Sequence, residues 1–291
     1  MTQIDTTLFT VRHYECDAYG HLNNAVYLQY MQEAAVNAST ARRLDRAAYE
    51  AMGRLWLIRA SEIEYLSAAV AGDEIEVHTW VAEYRRTTSR REYELRRLSD
   101  DQLIARGGSD WVFLNAETSR PAAITADIRS ALGKRSGKSP NKGRIRLDNS
   151  SQAPKSVFEM GRHIEWRDID EMQHLNNTAY LSYAEDCAMQ LSDAYDWPFQ
   201  RWIENGIAFF ARKNRIEYLQ PAYLHERLKI RTWLLNVRRA TATRHYEFLR
   251  ASDNQVLARL QTIWVLINLE TGRPTRFPTE FTELLADNIA V

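Results

Sequence analysis

Ile75, Val77 and Val81 sit on one side of a two-residue repeat, with Glu76 and His78 between them. Leu228, Ile230 and Leu234 do the same around Lys229 and Arg231. Such alternation predicts strands with one buried face. Similar runs predict four extended segments over residues 56–66, 73–84, 88–98 and 103–114, and four more over 208–219, 226–237, 241–249 and 256–269. Ala71-Gly72-Asp73, Ser99-Asp100-Asp101 and Ser252-Asp253-Asn254 supply turns between them. A different period stands ahead of each set. From residue 25 to about 43, Val26, Tyr30, Ala34 and Asn37 lie on one flank of a helix, and Leu28, Met31, Ala35 and Ala38 on another. Apolar residues cover more than one face and small ones crowd the middle, as expected of a helix wrapped by sheet. Residues 178–195 form its counterpart, and short strands over 8–15 and 162–168 precede the two helices. The predicted order is strand, long helix, four antiparallel strands, written twice.

The repetition is also one of residues. His21-Leu22-Asn23-Asn24 returns as His174-Leu175-Asn176-Asn177, an offset of 174 − 21 = 153. At that offset Asp17 meets Asp170, Tyr27 meets Tyr180, Trp80 meets Trp233, and Arg91 and Tyr93 meet Arg244 and Tyr246. Between Asp17 and Pro121 about 39 of roughly 105 positions are identical without a gap, which marks a duplicated unit. We therefore divide the chain into a first domain at 1–132, a linker at 133–156 and a second domain at 157–291. Gly, Ser, Pro and Lys dominate residues 133–143, so that stretch reads as an exposed, solvated linker.

Composition narrows the function classes. Lys plus Arg (38) equals Asp plus Glu (38), which argues against a general nucleic-acid or membrane-surface binder. The two cysteines, Cys16 and Cys187, fall at unequal places in the repeat, so no disulfide framework is expected and a cytoplasmic location is preferred. Cys16 adjoins Asp17, but Ile169 at its counterpart favours a buried packing role over a catalytic thiol. No Cys/His cluster has zinc spacing and no metal is expected. Residues 1–5 lack the pattern of a signal peptide, and no run is long enough to cross a bilayer.

The segment from Asp17 through Gly20-His21, Asn23-Asn24 and Tyr27-Leu28 resembles the motif of the hot-dog-fold acyl thioesterases, at the turn from first strand into helix. Gly72-Asp73 before an alternating strand is similar as well. Two copies in one chain resemble the tandem acyl-acyl-carrier-protein thioesterases, and also 4-hydroxybenzoyl-CoA thioesterase-like proteins. The resemblance implies an α+β chain of two tandem hot-dog domains, each a curved antiparallel sheet around a long central helix, packed as an internal pseudo-dimer. It implies an enzyme of fatty acid metabolism that hydrolyses acyl-CoA or acyl-carrier-protein thioesters without a cofactor; a homodimer of the double chain is compatible with it. Three positions depart from the carrier-protein group. An Asn of its second-copy motif falls on Met172 here, and on Tyr19 in the first copy, while an expected acid falls on Pro221. These departures point towards a more general acyl-CoA type.

Thioester hydrolysis needs a carboxylate acting as base or nucleophile and positive charge for the carbonyl oxygen. Asp17 and Asp170 are the candidate catalysts, with His21 and His174 as partners. The amides near residues 24–26 and 177–179 are the candidate oxyanion donors. Asn23, Asn24, Asn176, Asn177, Tyr27 and Tyr180 are candidate substrate contacts, with helix capping the competing role of the asparagines. Gly20 against Gln173 is a difference that could make the two sites unequal. Glu33, Glu185 and Asp186 are read as helix-surface charges, and Glu64 and Glu217 as partners of arginines such as Arg91 and Arg244. Arg85-Arg86, Arg90-Arg91, Arg96-Arg97, Arg238-Arg239 and Arg244 are read as either a phosphate- or carrier-binding face or a solvated strand face. The competing functions are an acyl-CoA-binding hot-dog protein without turnover and a hot-dog hydratase or dehydratase.

Overall fold

The computed structural model describes residues 4–135, 145–147 and 153–290, and the chain divides into two compact units, Met1–Ile145 and Arg146–Val291. Residues 1–3, part of the segment read as lacking a signal peptide, lie outside the described residues, as do 136–144 and 148–152 of the linker. The first unit runs β1 (Asp5–Thr10), α1 (Asn24–Thr40), α2 (Arg46–Ala51), β2 (Arg54–Tyr65), β3 (Glu74–Tyr84), β4 (Thr88–Arg97), β5 (Gln102–Asn115) and α3 (Ala126–Leu132). The second runs β6 (Phe158–His163), α4 (Ala179–Ala194), α5 (Phe199–Glu204), β7 (Ile207–Tyr218), β8 (Arg227–Leu235), β9 (Thr241–Arg250), β10 (Val256–Asn268) and α6 (Thr279–Leu284). Strands follow the order β1-β3-β4-β5-β2 in one unit and β6-β8-β9-β10-β7 in the other, antiparallel throughout.

Alternation along the strands becomes burial. Ile75, Val77, Thr79 and Val81 of β3 are buried, as are Leu228, Ile230, Thr232 and Leu234 of β8, while Glu76, His78, Lys229 and Arg231 between them are not. The inward faces meet the long helices, α1 against β1 and β3, α4 against β6 and β8. Ala25, Ala34, Ala35 and Ala38 are all buried in α1, so the sheet approaches the helix closely where side chains are smallest. A register shift in the β2–β5 pair skips Arg59, and the same shift in β7–β10 skips Arg212, its partner in the repeat. Bulges of this kind bend a strand and increase its twist, which lets a sheet curve around a helix. Each unit is thus the hot-dog arrangement of curved sheet and central helix.

The first strands lie earlier than the pattern predicts, at Asp5–Thr10 and Phe158–His163. Residues 13–15 and 166–168 form single 3-10 turns instead. The reason is local: Glu15 accepts the Arg12 amide on its side chain (2.8 Å) and the Asn23 amide on its carbonyl (2.9 Å), closing a loop rather than a ladder. The short helices were not legible in advance. Asp45 and Thr125 cap two of them, and Tyr49, Ile128 and Leu132 carry them onto Val81 and Phe113. The described ends of the linker are held rather than solvated. Arg135 donates its amide to Val81 and lays its guanidinium 4.4 Å from the Trp80 ring centre, and the buried Ile145 donates to Asp110 Oδ2 at 3.0 Å.

Candidate active site

Asp17 and Asp170 each organise a tight loop, and they do it with the same bonds. Asp17 Oδ1 accepts the amides of Tyr19 (2.8 Å) and His21 (3.1 Å), and its own amide donates to the His21 carbonyl (2.8 Å). Asp170 Oδ1 accepts from Met172 (2.9 Å) and His174 (3.4 Å), and its amide donates to the His174 carbonyl (2.9 Å). A short side chain that reaches its own backbone two residues on is what makes Asp favourable in a turn. The loop needs a left-handed residue just before the histidine. Gly20 supplies it at φ +78°, and Gln173 adopts the same region at φ +62°. The second loop therefore keeps the backbone path of the first despite losing its glycine. Both aspartates are half-buried, as are His21 and His174.

The asparagines open the helices. Asn23 Oδ1 accepts from Ala25 at 2.9 Å, and Asn176 Oδ1 accepts both the amide (2.8 Å) and hydroxyl (2.7 Å) of Thr178. Their carbonyls take the next amides, from Val26 and Ala179. This revises the expected oxyanion donors: the amides of Ala25, Val26, Thr178 and Ala179 are already bonded within the caps. What the helix start retains is the field of its aligned peptide dipoles. Asn24 and Asn177 anchor the cap from behind, their carbonyls accepting from the hydroxyls of Tyr65 (3.0 Å) and Tyr218 (2.8 Å). Tyr27 and Tyr180 are buried and edge-on to those same two tyrosines. Burial pushes the Tyr27 hydroxyl up to about 12, although it accepts the Ala69 amide.

Two further clamps recur, and neither was picked out from the sequence. Tyr30 on α1 donates to Glu15 at 2.7 Å, and Tyr183 on α4 donates to Asp168 at 2.6 Å, tying each long helix to the 3-10 turn before the loop. Behind the loop, Arg97 and Arg250 donate to the carbonyls of Ala68 and Pro221, both at 3.2 Å. The position where an acid was expected thus contributes only its backbone. Leu22 and Leu175 donate to the next carbonyls, of Ala69 and Ala222, both at 2.8 Å. The ring of His174 packs edge-on against Tyr223 at 5.2 Å, where the first copy has Val70.

The arginines do not form one binding face. Arg90 is buried and paired with Glu62 (2.8 Å), Glu92 (2.9 Å) and Asp110 (3.2 Å). Burial opposes its charge, and Glu92 foremost, with Asp110 and Glu62, raises the guanidinium above its ordinary value. Arg91 and Arg244 are buried as well, Arg96 pairs with Glu94 and Asp101, and Arg97 serves the loop clamp. The expected partners of Glu64 and Glu217 are also revised. Glu64 pairs with Arg106 at 2.7 Å, and Arg259, the counterpart of Arg106, pairs with Glu247. Arg91 instead donates to the Thr79 hydroxyl at 3.3 Å.

Of the helix carboxylates, Glu33 is exposed, Asp186 pairs with Arg162 at 3.6 Å, and Glu185 borders a crevice inside the second unit. That crevice lies between α4 and the strands β7, β9 and β10, with Ala184, Tyr246, Thr262 and Trp264 on its walls. Cys187 is fully buried on α4 and burial pushes its thiol up to about 12; Cys16 is a second free thiol. Among the described residues no group of three or more His, Cys, Asp or Glu side chains is gathered for a metal ion, and no helix is long and apolar enough to cross a membrane.

Comparison with known proteins agrees with the repeat. The family model of the thioesterase-like superfamily matches twice, at residues 11–132 and 164–285. The palmitoyl-acyl carrier protein thioesterase of Cuphea hookeriana is 25% identical over 190 residues, covering 60% of this chain and 44% of that protein. The chain thus spans less than half the length of that relative. Two solved structures share the fold across almost the whole chain. One, assigned as an oleoyl thioesterase from Lactobacillus plantarum, has a TM-score of 0.78 at 17% identity and covers 91% of this chain and 96% of its own. An acyl-ACP thioesterase from Bacteroides thetaiotaomicron has a TM-score of 0.71 at 19% identity, covering 90% and 97%.

Proposed function

The chain belongs to the thioesterase-like superfamily, and from that premise we propose that it hydrolyses acyl thioesters, carried on coenzyme A or on a carrier protein, to a free acid and a thiol. The observation that carries the proposal is the Asp loop at the start of each long helix, built twice with the same bonds. In each, Oδ1 is held by two backbone amides, so the carboxylate is fixed in orientation and its second oxygen is left to engage a water or the thioester carbon. Water adds to the carbonyl as its proton passes to Asp17 or Asp170; the C–S bond then breaks and the thiolate takes up the proton. Charge that develops on the carbonyl oxygen faces the positive end of α1 or α4. His21 and His174, at the far end of the loop, orient the thioester.

Asp17→Asn and Asp170→Asn, singly and together, test this against matched acyl-CoA and acyl-carrier-protein substrates. Asn keeps an oxygen for the two turn amides, so the fold should survive. Loss of a general base costs on the order of 10²–10⁴ in rate, and the double variant should lose about that much. A folded double variant with undiminished hydrolysis would remove the proposed roles. A wild-type protein that cleaves no thioester on either carrier would sink the function itself.

A further inference from the structure

Each Asp loop is the tip of a short hairpin whose two legs are anchored differently. Asn23 donates its amide to the Glu15 carbonyl (2.9 Å) and Asp17 donates to that of His21 (2.8 Å), on either side of a bridge between Cys16 and Leu22. In the second unit Asn176 donates to Asp168 (2.8 Å) and Asp170 to His174 (2.9 Å), on either side of the bridge between Ile169 and Leu175. The later leg runs straight into the long helix, because its asparagine accepts from the amides at the helix start. The earlier leg begins in a single 3-10 turn that contains no buried residue, so packing does not hold it. A side-chain bond ties it to the helix instead: Tyr30 donates to Glu15 Oε2 (2.7 Å), and Tyr183 donates to Asp168 Oδ2 (2.6 Å).

The tie reaches from the same place in both units. Tyr30 and Tyr183 each lie seven residues past the loop asparagine (30 − 23 = 183 − 176 = 7), two turns or about 10 Å along the helix at 1.5 Å per residue. The loop is therefore held to one helix at two well-separated points, which fixes its tilt as well as its position. Around the tie the chemistry is exchanged and the bond is kept. Glu15 becomes the shorter Asp168. Phe9, stacked on Tyr30 with ring centres 4.3 Å apart, becomes Arg162, whose guanidinium lies 4.6 Å from the Tyr183 ring centre. A phenylalanine would serve that stacking as well as a tyrosine; the hydroxyl adds the bond to the loop. Bonds of this length to a carboxylate are about twice as strong as neutral ones. Burial, and then the accepting acid, hold both hydroxyls far above their ordinary value, so they remain donors at neutral and mildly alkaline pH.

Resting on the thioesterase reading above, we propose that Glu15 with Tyr30, and Asp168 with Tyr183, are positioning pairs for hydrolysis: through the acid two residues upstream, each tyrosine hydroxyl sets where the carboxylate of Asp17 or Asp170 stands against the helix start. Base catalysis is demanding in geometry, since a 1 Å misplacement can cost about 10²-fold. Without the tie the earlier leg hinges about Asn23 or Asn176. The carboxylate then samples orientations in which the thioester is bound but not attacked, so the loss falls on kcat and spares KM.

Each tie is read with the other loop silenced: Tyr30→Phe in Asp170→Asn, and Tyr183→Phe in Asp17→Asn. In whichever loop turns over, kcat should fall about tenfold, short of the roughly 10²-fold cost of a 1 Å displacement, while KM stays within about twofold. Glu15→Ala should match Tyr30→Phe. Glu15→Gln, whose amide oxygen can accept from Tyr30 and from the Arg12 amide, should recover most of that rate. Where the first loop turns over, Tyr30→Phe should cost at least about fivefold more in Asp170→Asn than in Asp17→Asn, a coupling that a general weakening of the fold would not produce. A lower Tm with unchanged kcat, a rise in KM alone, or equal losses in the two backgrounds overturns the inference while hydrolysis stands. If no thioester is cleaved, amide hydrogen exchange read by NMR decides the tie separately. Tyr30→Phe should then speed exchange at Asp17 and Asn23 about tenfold and leave the β3 amides as they are; unchanged exchange in the loop overturns it.

Discussion

Gln173 holds a backbone conformation that Gly20 holds in the other copy, and the two differ in what that costs. A side chain at positive φ is disfavoured by roughly 1–2 kcal/mol, a penalty glycine escapes. Gln173→Gly should therefore stabilise the protein by about 1 kcal/mol, raising Tm by roughly 2–4 °C for a unit of this size class, read by thermal unfolding. His245 is a second residue whose setting has a measurable consequence. It is buried, with Nδ1 3.4 Å from Gln261 Nε2 and its ring 4.5 Å from Trp233. Burial, helped by Arg259, lowers it from 6.5 to about 4. The folded protein thus keeps the imidazole neutral where the unfolded chain would protonate it. The associated stability is complete above about pH 6.5 and drains away as pH falls towards 4, by about 3 kcal/mol at most for a shift of 6.5 − 4. Urea midpoints at pH 7.5 and 5.0 should converge in His245→Gln relative to wild type.

At the scale of elements, β4 and β5 are coupled by a buried ionic network that the second unit lacks. Arg90 pairs with Glu62, Glu92 and Asp110; their counterparts are Thr243, Arg215, His245 and Ile263. The network also explains a glycine. A Cβ on Gly108 would lie 2.2 Å from Arg90 Nη2, so the arginine occupies the space a side chain would need, and where Arg90 gives way to Thr243 the same position is Gln261. Arg90→Met should cost about 3–5 kcal/mol by stranding buried carboxylates. Gly108→Ala should also destabilise, and the double variant should cost less than the sum, because removing the guanidinium opens the space. Denaturant midpoints across the four proteins check the coupling. From the sequence these arginines read as a hairpin face, either solvated or phosphate-binding. A residue two places from Tyr93 or Tyr246 on an alternating strand points the same way as that ring, and that was the available signal that Arg91 and Arg244 are inside.

At the scale of the molecule, two copies of one motif need not contribute equally. Both Asp loops have the same bonds, but the packing behind them differs: Met31 and Gly107 of the first unit become Ala184 and Leu260 in the second. Asp17→Asn and Asp170→Asn should each leave the other loop's share of thioester hydrolysis, and steady-state rates of the two single variants will show how it divides. The duplication, the order of the strands and long helices, and the hairpin turns were determined by the sequence alone, because each depends on local periodicity and on residues that act within a few positions of themselves. Even left-handed turns recur in pairs through substitution, Gly72 with His225, Asp101 with Asn254, Ser119 with Gly272. Tertiary structure alone decided which arginines are buried, which cap amides are already bonded, and where a crevice opens. Those depend on side-chain volumes and charges brought together from strands and helices far apart in the chain, as where Met31 against Gly107 becomes Ala184 with Leu260, a paired exchange between a helix and a strand that the local pattern does not show.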